Sequence, residues 1–224
     1  MNKLSGMAVA VGMLAVVGCG SNQGTGALIG AGGGAIVGGI IGKLAGNTAV
    51  GAAIGGAVGT GVGAVIGHHM DKVAEQAKQI ENAKVETVTD SNGLEAVKVT
   101  FDSGILFATG KADLNASSKN SLAKFSNTLK ENNLLYVDVY GHTDSTGNDG
   151  INIPLSNKRA QSVVDYLEGC GVSASQFKKV EGKGSSQPVA DNSTAAGKQQ
   201  NRRVEVYLYA SQAMVDAAKA GTLK

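Results

Sequence analysis

Between residues 26 and 67 the chain places a glycine at every fourth position, in two runs that are out of phase by one residue. The residues between them are mostly Ala, Ile, Val and Leu, and Lys43 is the only charged one. Glycine disfavours a helix in water by about 1 kcal/mol relative to alanine. The same spacing gives a helix a flat stripe along which another backbone can approach closely, in a membrane or in a helix pair. The first run is Gly26, Gly30, Gly34, Gly38, Gly42 and Gly46, and the second is Gly51, Gly55, Gly59, Gly63 and Gly67.

The repeat predicts a glycine-zipper helical hairpin over residues 26–67, with its turn at the phase slip in the sequence GNTAVG. A flexible linker is the alternative, since glycine-rich linkers are common. Such linkers are polar, however, whereas this segment is rich in Ile and Val and contains no Ser. Whether the hairpin spans a bilayer, enters it partly or self-associates stays open.

The first nineteen residues have the pattern of a secretory signal peptide. Lys3 precedes an apolar run that is shorter than the roughly 20 residues of a spanning helix, and the segment ends in VVGC. That ending resembles a bacterial lipobox, which implies a signal peptide over residues 1–18, lipidation of Cys19 and a lipidated linker over residues 19–25. An ordinary signal peptide with a chance cysteine is the alternative. No acidic residue follows Cys19 closely, and the likeness to lipoproteins therefore implies sorting to the outer membrane.

Charge, cysteine and histidine content narrow the classes of function. The 224 residues carry a net charge of only +2, which predicts no nucleic-acid partner. Cys19 and Cys170 lie in different halves of the chain, which argues against a disulfide framework. We assign no chemical role to Cys170. The adjacent His68 and His69 do not share a helix face and have no third ligand nearby, so that no metal site is predicted.

The rear half changes from glycine repeats to alternating strands and helices. Residues 68–84 have helical spacing and predict a linker helix that leaves the membrane. Residues 85–210 predict an α+β domain in the order β-(β)-α-β-α-β-β, with helices on one face of the sheet. Within it, VETVT and LEAVKVTF flank a turn signal and predict a hairpin, and Leu122, Phe125 and Leu129 mark the inner side of a helix. The C-terminal tail, residues 211–224, predicts a short helix or a frayed end.

One polar loop and the helix after it place an acid and an arginine close together in sequence, Asp144 and Arg159. Pro154 is typical of a first helical turn, which would direct the free N–H groups near Leu155 and Ser156 toward the loop. A helix start and a guanidinium both attract carboxylates, whereas an aspartate attracts an ammonium. The pattern fits a ligand with a free amino-acid head group, and a local ion pair or two solvated side chains would give the same spacing.

The rear domain resembles the OmpA C-terminal-like, peptidoglycan-associated domain in GHTDSTG, in NIPLSNKRAQSVVDYL and in the stretch that ends in NRRVEVYL. The upstream FDSGILFATGKADL resembles that family's first strand and loop, so that the likeness covers about residues 94 to 209. With the lipobox and the glycine repeat, the whole chain resembles the YiaD-like lipoproteins. The resemblance implies a βαβαββ sandwich that binds the peptide stem of peptidoglycan non-covalently, through meso-diaminopimelate.

The resemblance also assigns roles by position. The family's ligand-binding aspartate corresponds to Asp144, and its ligand-binding arginine corresponds to Arg159. Arg203 is interpreted as a strand residue that holds the fold. The chain departs from the family pattern at Pro154 and Lys198, and neither departure removes a predicted ligand. The remaining residues that the resemblance places in the pocket are Thr143, Asn152, Leu155, Ser156, Asn201 and Arg202.

Together these features predict an outer-membrane lipoprotein with a periplasmic C-terminal domain that tethers the membrane to the cell wall. Its partners would be peptidoglycan with a diaminopimelate-type stem, outer-membrane lipid and, through the zipper, further copies of the chain. In the alternative, the hairpin is the active part, membrane-active or oligomerising, and the wall-binding domain localises it. A wall hydrolase using His142 and Asp144 is a third hypothesis, but the sequence has no metal spacing, nucleophile elbow or second catalytic acid. We therefore expect no enzyme and no cofactor.

Overall fold

The structure is a computed structural model that describes residues 60–90, 93–108 and 110–223. These residues form the mixed α+β domain that the sequence predicts, with their strands joined in one five-stranded sheet. The predicted signal peptide, Cys19 and most of the glycine repeat lie outside the described residues.

The sheet consists of β1 (Ala83–Thr89), β2 (Glu95–Asp102), β3 (Leu135–Gly141), β4 (Phe177–Gly182) and β5 (Arg203–Ala210). Its order is β1-β2-β5-β3-β4, so that the last strand in sequence lies at the centre. The predicted hairpin of β1 and β2 is confirmed as an antiparallel pair. β3 and β4 pair in parallel, which requires a crossover, and a helix supplies it. β5 pairs with β2 and β3, and all of its residues are buried.

The α-helices of the described residues are α1 (Thr60–Lys78), α2 (Ser103–Leu106), α3 (Ala116–Glu131), α4 (Asp149–Gly169), α5 (Ala195–Asn201) and α6 (Gln212–Lys219), and a 3-10 helix covers Ala174–Gln176. Polar side chains cap four of the α-helices, and the carboxylate of Asp102 caps α2 by accepting the N–H of Gly104. The side-chain oxygens of Asn115, Thr194 and Ser211 each accept the N–H of the residue three positions later. Such caps satisfy backbone groups that a helix start leaves free. The sequence analysis did not predict α5, which is short and has no apolar period.

The hydrophobic core lies between the sheet and the helices on one of its faces. Leu122, Phe125 and Leu129 of α3 are fully buried there, as their helical spacing predicted. Alternating residues of the strands, among them Val137 and Val139 of β3, meet them from the sheet. The apolar sides of the helices and strands thus form a single core. Helix α4 packs directly on β3 and β4.

Helix α1 begins inside the second glycine run and continues without a break to Lys78. Ile66, Met70, Val73 and Ala77 on one of its sides are fully buried in the core. The helix packs on β1, β2, α3 and α6. The division predicted between residues 67 and 68 therefore falls within one helix that belongs to the packed domain. None of the helices in the described part of the chain combines the length and apolarity that crossing a bilayer requires.

The opposite face of the sheet, called the outer face here, carries a cluster of buried side chains from strands, including Tyr140, Tyr207 and Tyr209. Two of the tyrosine hydroxyls donate to Asp138, at 3.2 and 3.1 Å. Burial raises the pKa of Asp138 although these hydrogen bonds act in the opposite direction. The hydroxyl of Tyr207 donates to Glu205 at 2.8 Å. The outer face is thus a polar and aromatic layer, unlike the apolar core.

Candidate functional site

Asp144 lies in the loop directly after β3, where it is 7% exposed. One carboxylate oxygen accepts the N–H of Thr146 at 2.8 Å, and the other is paired with Nη1 of Arg202 at 2.5 Å. Burial raises the pKa of Asp144, but the hydrogen bonds from Arg202 and Thr146 outweigh it and hold the pKa below its ordinary value. Asp144 is therefore ionised at neutral pH, and its partner is Arg202 rather than Arg159.

Amide side chains hold the loop that carries Asp144. The Asn152 amide donates to the carbonyl oxygens of Asp144 and Thr146, at 3.5 and 3.1 Å. The N–H of Ser145 donates to Oδ1 of Asn192 at 3.1 Å. Because the loop is tied to α4 and to the segment before α5, the protein itself fixes the position of the carboxylate.

Helix α4 begins at Asp149, so the prediction that it begins near Pro154 is wrong. Pro154 lies inside the helix, where it lacks the N–H that would bond four residues back. Only the first four N–H groups of a helix are free, and those of Leu155 and Ser156 come later. The helix start therefore does not place these N–H groups toward the loop.

Arg159 lies farther along α4, and only 4% of it is exposed. Its Nε donates to the carbonyl oxygen of Lys111 at 3.0 Å, and the guanidinium carbon lies 5.3 Å from the centroid of the Phe107 ring. Burial lowers the pKa of Arg159 and the charge of Arg202 lowers it further, whereas the charge of Asp144 raises it. The two guanidinium groups and the one carboxylate therefore lie within electrostatic range of one another.

The surroundings of Arg159 differ from those of the other buried arginine, Arg203. Arg203 is also 4% exposed, and its Nε donates to Glu205 at 2.7 Å. Its other nitrogens donate to two backbone carbonyls, which agrees with its interpretation as a residue that holds the fold. No carboxylate of the described residues forms an ion pair with Arg159. A guanidinium in that state can hold a carboxylate with two parallel hydrogen bonds.

The polar atoms of three predicted pocket residues form hydrogen bonds within the protein: Asn152, Ser156 and Asn201. The amide oxygen of Asn201 accepts the N–H groups of Val189 and Ala190, at 2.8 and 3.0 Å. The hydroxyl of Ser156 accepts the N–H of Gly184 at 3.0 Å. Through these bonds the three residues position the loops around the site.

The remaining predicted residues are Thr143, Leu155 and Arg202. Thr143 precedes Asp144 in the loop, Arg202 is paired with Asp144, and Leu155 lies in the second turn of α4. The hydroxyl of Thr143 is buried and has no hydrogen-bond partner within the described part of the chain. Leu155 is half-buried, and the side chain of Arg202 is 37% exposed. Of these three, Arg202 makes a direct contact with Asp144.

His142 does not join Asp144 in a common arrangement. Its ring is buried, and Nε2 lies 3.6 Å from Oε2 of Glu205, beyond hydrogen-bonding distance. Burial lowers the pKa of His142, although the neighbouring Glu205 acts in the opposite sense. Across the residues that the structure describes, no group of three His, Cys, Asp or Glu side chains is placed to hold a metal ion.

Two neighbours of Arg159 were not predicted, Phe107 and the carbonyl group of Lys111. Both lie in the segment between β2 and α3, about fifty residues before Arg159 in sequence. The only signal for Phe107 in the sequence was that it is the one aromatic residue in the stretch LFATGK. A backbone carbonyl has no sequence signal at all.

The sheet order, the crossover helix α4 and the acid that follows β3 define a domain of the OmpA-like class. The sequence model of the OmpA family matches residues 106–202 of this chain. The glycine zipper model matches residues 29–74, which includes the first part of α1.

The chain is 38% identical over 210 residues to the probable lipoprotein YiaD of Escherichia coli, an alignment that covers 90% of this chain and 94% of that protein. The chain therefore belongs to the OmpA family, in its YiaD-like branch with a glycine zipper. It is also 39% identical over 111 residues to the peptidoglycan-binding protein ArfA of Mycobacterium tuberculosis. That match covers 50% of this chain and 34% of ArfA, so it concerns about a third of the relative.

A solved structure with a similar fold is the cell wall anchor of the T6SS from Pseudomonas aeruginosa. The TM-score is 0.51 at 26% identity, and the superposition covers 63% of this chain and 97% of the anchor. The chain therefore resembles this anchor in the arrangement of its strands and helices as well as in sequence.

Proposed function

We propose that this chain binds peptidoglycan non-covalently, through the diamino acid of the peptide stem. Asp144 receives the ammonium of that residue, and Arg159 receives its carboxylate. The observation that carries the proposal is the buried guanidinium of Arg159, which forms no ion pair with any described carboxylate although Asp144 is within electrostatic range. A stem residue such as meso-diaminopimelate supplies an ammonium and a carboxylate on one carbon. The name of the relative ArfA supports wall binding.

The strength of one such site suits a reversible tether. A hydrogen bond to a charged group contributes about 1.5–3 kcal/mol, and the exposed side of the site lowers that contribution by solvent screening. The wall repeats its stems many times, and a membrane-anchored domain would meet them at an effective concentration near the millimolar range. Modest contacts can therefore hold two layers together and still exchange.

The proposed anchor is a lipid on Cys19 in the outer membrane, with the domain in the periplasm. The VVGC sequence and the likeness to a protein named as a lipoprotein support it. Labelling of cells with a radioactive fatty acid tests the anchor. We expect label on the chain and none on Cys19→Ser, and an unlabelled wild-type chain would contradict lipidation.

Sedimentation with isolated sacculi tests wall binding. The full chain in mild detergent should sediment with sacculi, and Asp144→Asn or Arg159→Gln should weaken the binding about tenfold each, as expected for the loss of a charged hydrogen bond. Asp149→Asn and Lys158→Gln are matched controls, since each removes one exposed charge from α4. If the controls and the site variants behave alike, general charge accounts for the binding. Release of soluble fragments from the sacculi would favour the hydrolase hypothesis instead.

A second candidate function is self-association or membrane activity of the glycine repeat, and the match of residues 29–74 to the glycine zipper model favours it. Small residues at every fourth position would let helices of two chains pack closely. Gly38→Leu should then abolish oligomers that persist in detergent, while sacculus binding remains. A wild-type chain that is monomeric in detergent and in vesicles would contradict self-association.

A further inference from the structure

Arg202 occupies the carboxylate that the proposed ligand needs. Its Nη1 is paired with Oδ2 of Asp144 at 2.5 Å. The same carboxylate is assigned to the ammonium of the wall diamino acid under the proposed function, on which this inference rests. An arriving ammonium must therefore share Asp144 with Arg202 or take its place.

The structure fixes the backbone of Arg202 and leaves its side chain accessible. Its N–H donates to the carbonyl of Lys198 at 3.1 Å, and its own carbonyl accepts the N–H of Ser103 at 2.8 Å. The side chain is nonetheless 37% exposed, against 10% for the side chain of Asp144. The loop of Asp144 is held by Asn152, so that rearrangement on binding falls to the Arg202 side chain.

The net charge of the site also indicates how many carboxylates its ligand carries. The guanidinium groups of Arg159 and Arg202 and the carboxylate of Asp144 lie within electrostatic range of one another, and these three groups together carry one positive charge in excess. A zwitterionic head group can match Asp144 and Arg159 but adds no net charge. Only a ligand with a second carboxylate neutralises the site once Arg202 has left Asp144.

We propose that Arg202 is an exchangeable counter-ion that makes the site selective for stems with one free ammonium and two free carboxylates. In the free protein Arg202 neutralises Asp144. When the ligand's ammonium binds Asp144, the Arg202 guanidinium turns to the second carboxylate of the stem. Amidation of that carboxylate removes the new partner, and Arg202 then competes with the ligand for Asp144.

Titration calorimetry with two soluble stem peptides tests the exchange. The peptides share the free ammonium and the first carboxylate and differ only in whether the second carboxylate is free or amidated. For the full chain in detergent we expect about tenfold tighter binding of the free diacid, from the loss or gain of one charged hydrogen bond. Arg202→Gln should bring the ratio close to one and should bind the amidated peptide more tightly than the wild type does.

Lys198→Gln is the matched control, because it removes one positive charge from α5, the short helix that Arg202 directly follows, four residues before Arg202. It should lower both affinities equally and keep the tenfold ratio. Arg202→Lys, which keeps the charge, should retain most of the preference. Thermal unfolding of each variant shows that the domain is intact.

The outcomes separate this inference from the proposed function. Wild-type binding of both peptides with equal affinity, or a tenfold ratio that survives in Arg202→Gln, overturns the exchange and leaves wall binding in place. A wild-type chain that binds neither peptide nor sacculi overturns both. A preference that Lys198→Gln abolishes as fully as Arg202→Gln also overturns the exchange, since general charge then explains it.

Discussion

At the residue scale, the two buried arginines Arg159 and Arg203 differ in their partners, and this difference supports the proposed binding role of Arg159. Both guanidinium groups are buried, but among the residues that the structure describes only that of Arg203 forms an ion pair with a carboxylate, that of Glu205. A buried charge without a partner destabilises a fold. Proteins retain such unfavourable groups where function requires them. The burial of Arg159 is therefore consistent with a guanidinium group that serves ligand binding and lowers the stability of the fold.

This contrast predicts opposite effects of the same substitution. Arg159→Met should leave the free energy of unfolding unchanged or raise it, because it removes a buried charge with which no described carboxylate pairs, and it should weaken sacculus binding by about tenfold or more. Arg203→Met should lower the free energy of unfolding by about 3 kcal/mol, since it leaves Glu205 buried without its closest partner. Urea denaturation and co-sedimentation measure the two effects. A large loss of stability in Arg159→Met would show that Arg159, too, is structural.

The pKa values of the site predict how wall binding depends on pH. The pKa of Asp144 is held below its ordinary value, so its ionised form persists through neutral pH and is lost only as pH falls through that lowered pKa. The stabilisation from its pair with Arg202 is lost over the same acid range. Binding should therefore stay constant from about pH 8 to pH 5 and fall only at a pH below the ordinary aspartate pKa of about 3.9.

The same pH series also tests whether a histidine such as His142 takes part in wall binding. An ordinary histidine titrates near pH 6.5, and burial moves the pKa of His142 lower still. Co-sedimentation measured across the same pH range should show no change around pH 6 to 7. A midpoint there would make a histidine part of the binding site.

At the scale of elements, two glycines let α4 lie close to the sheet beside the site. A Cβ atom on Gly141 of β3 would overlap the carbonyl oxygen of Ser156, and one on Gly182 of β4 would overlap the N–H group of Asn157. The helix thus rests directly on the ends of the two parallel strands. This contact sets how far Arg159 stands from the loop after β3.

Substitution of Gly141 should therefore act on stability and binding together. Gly141→Ala should lower the free energy of unfolding by about 1–3 kcal/mol through overpacking. It should also weaken sacculus binding, because α4 must move away from the sheet and carries Arg159 with it. The control is Gly169→Ala at the end of the same helix, where an added Cβ meets nothing within 4 Å. We expect no loss from the control in chemical denaturation or in co-sedimentation, and equal losses would contradict the role of the contact.

The elements also show which parts of the fold a sequence can predict. The strands and long helices were predicted because their apolar periods, such as Leu122 to Leu129, are local signals. The start of α4 was misplaced because Pro154 gave a strong signal, whereas Asn148 caps the helix without a side-chain hydrogen bond. Phe107 reaches Arg159 only through tertiary packing, which no spacing within either segment encodes.

At the scale of the whole molecule, α1 contains the last part of the glycine repeat, from Thr60 onward, and packs against the OmpA-like domain. Sequence periodicity predicted its helical form but could not identify what its apolar side contacts. In the structure that side packs on β1 and β2, and it also meets α6, whose Met214 and Val215 are buried. The domain thus includes helices from both sides of the family match at residues 106–202.

The packing of α1 predicts where the domain can be cut. A fragment of residues 60–224 should unfold cooperatively, whereas one of residues 85–224 should not. The shorter fragment loses Ile66, Met70, Val73 and Ala77 from the core. The burial of each large apolar side chain contributes about 1.5–3 kcal/mol, and three of them approach the total stability of about 5–15 kcal/mol that is usual for a domain. Calorimetry and circular dichroism during heating measure the difference. If both fragments melt with the same midpoint and enthalpy, α1 is an appendage and the predicted boundary at residue 85 is the true one.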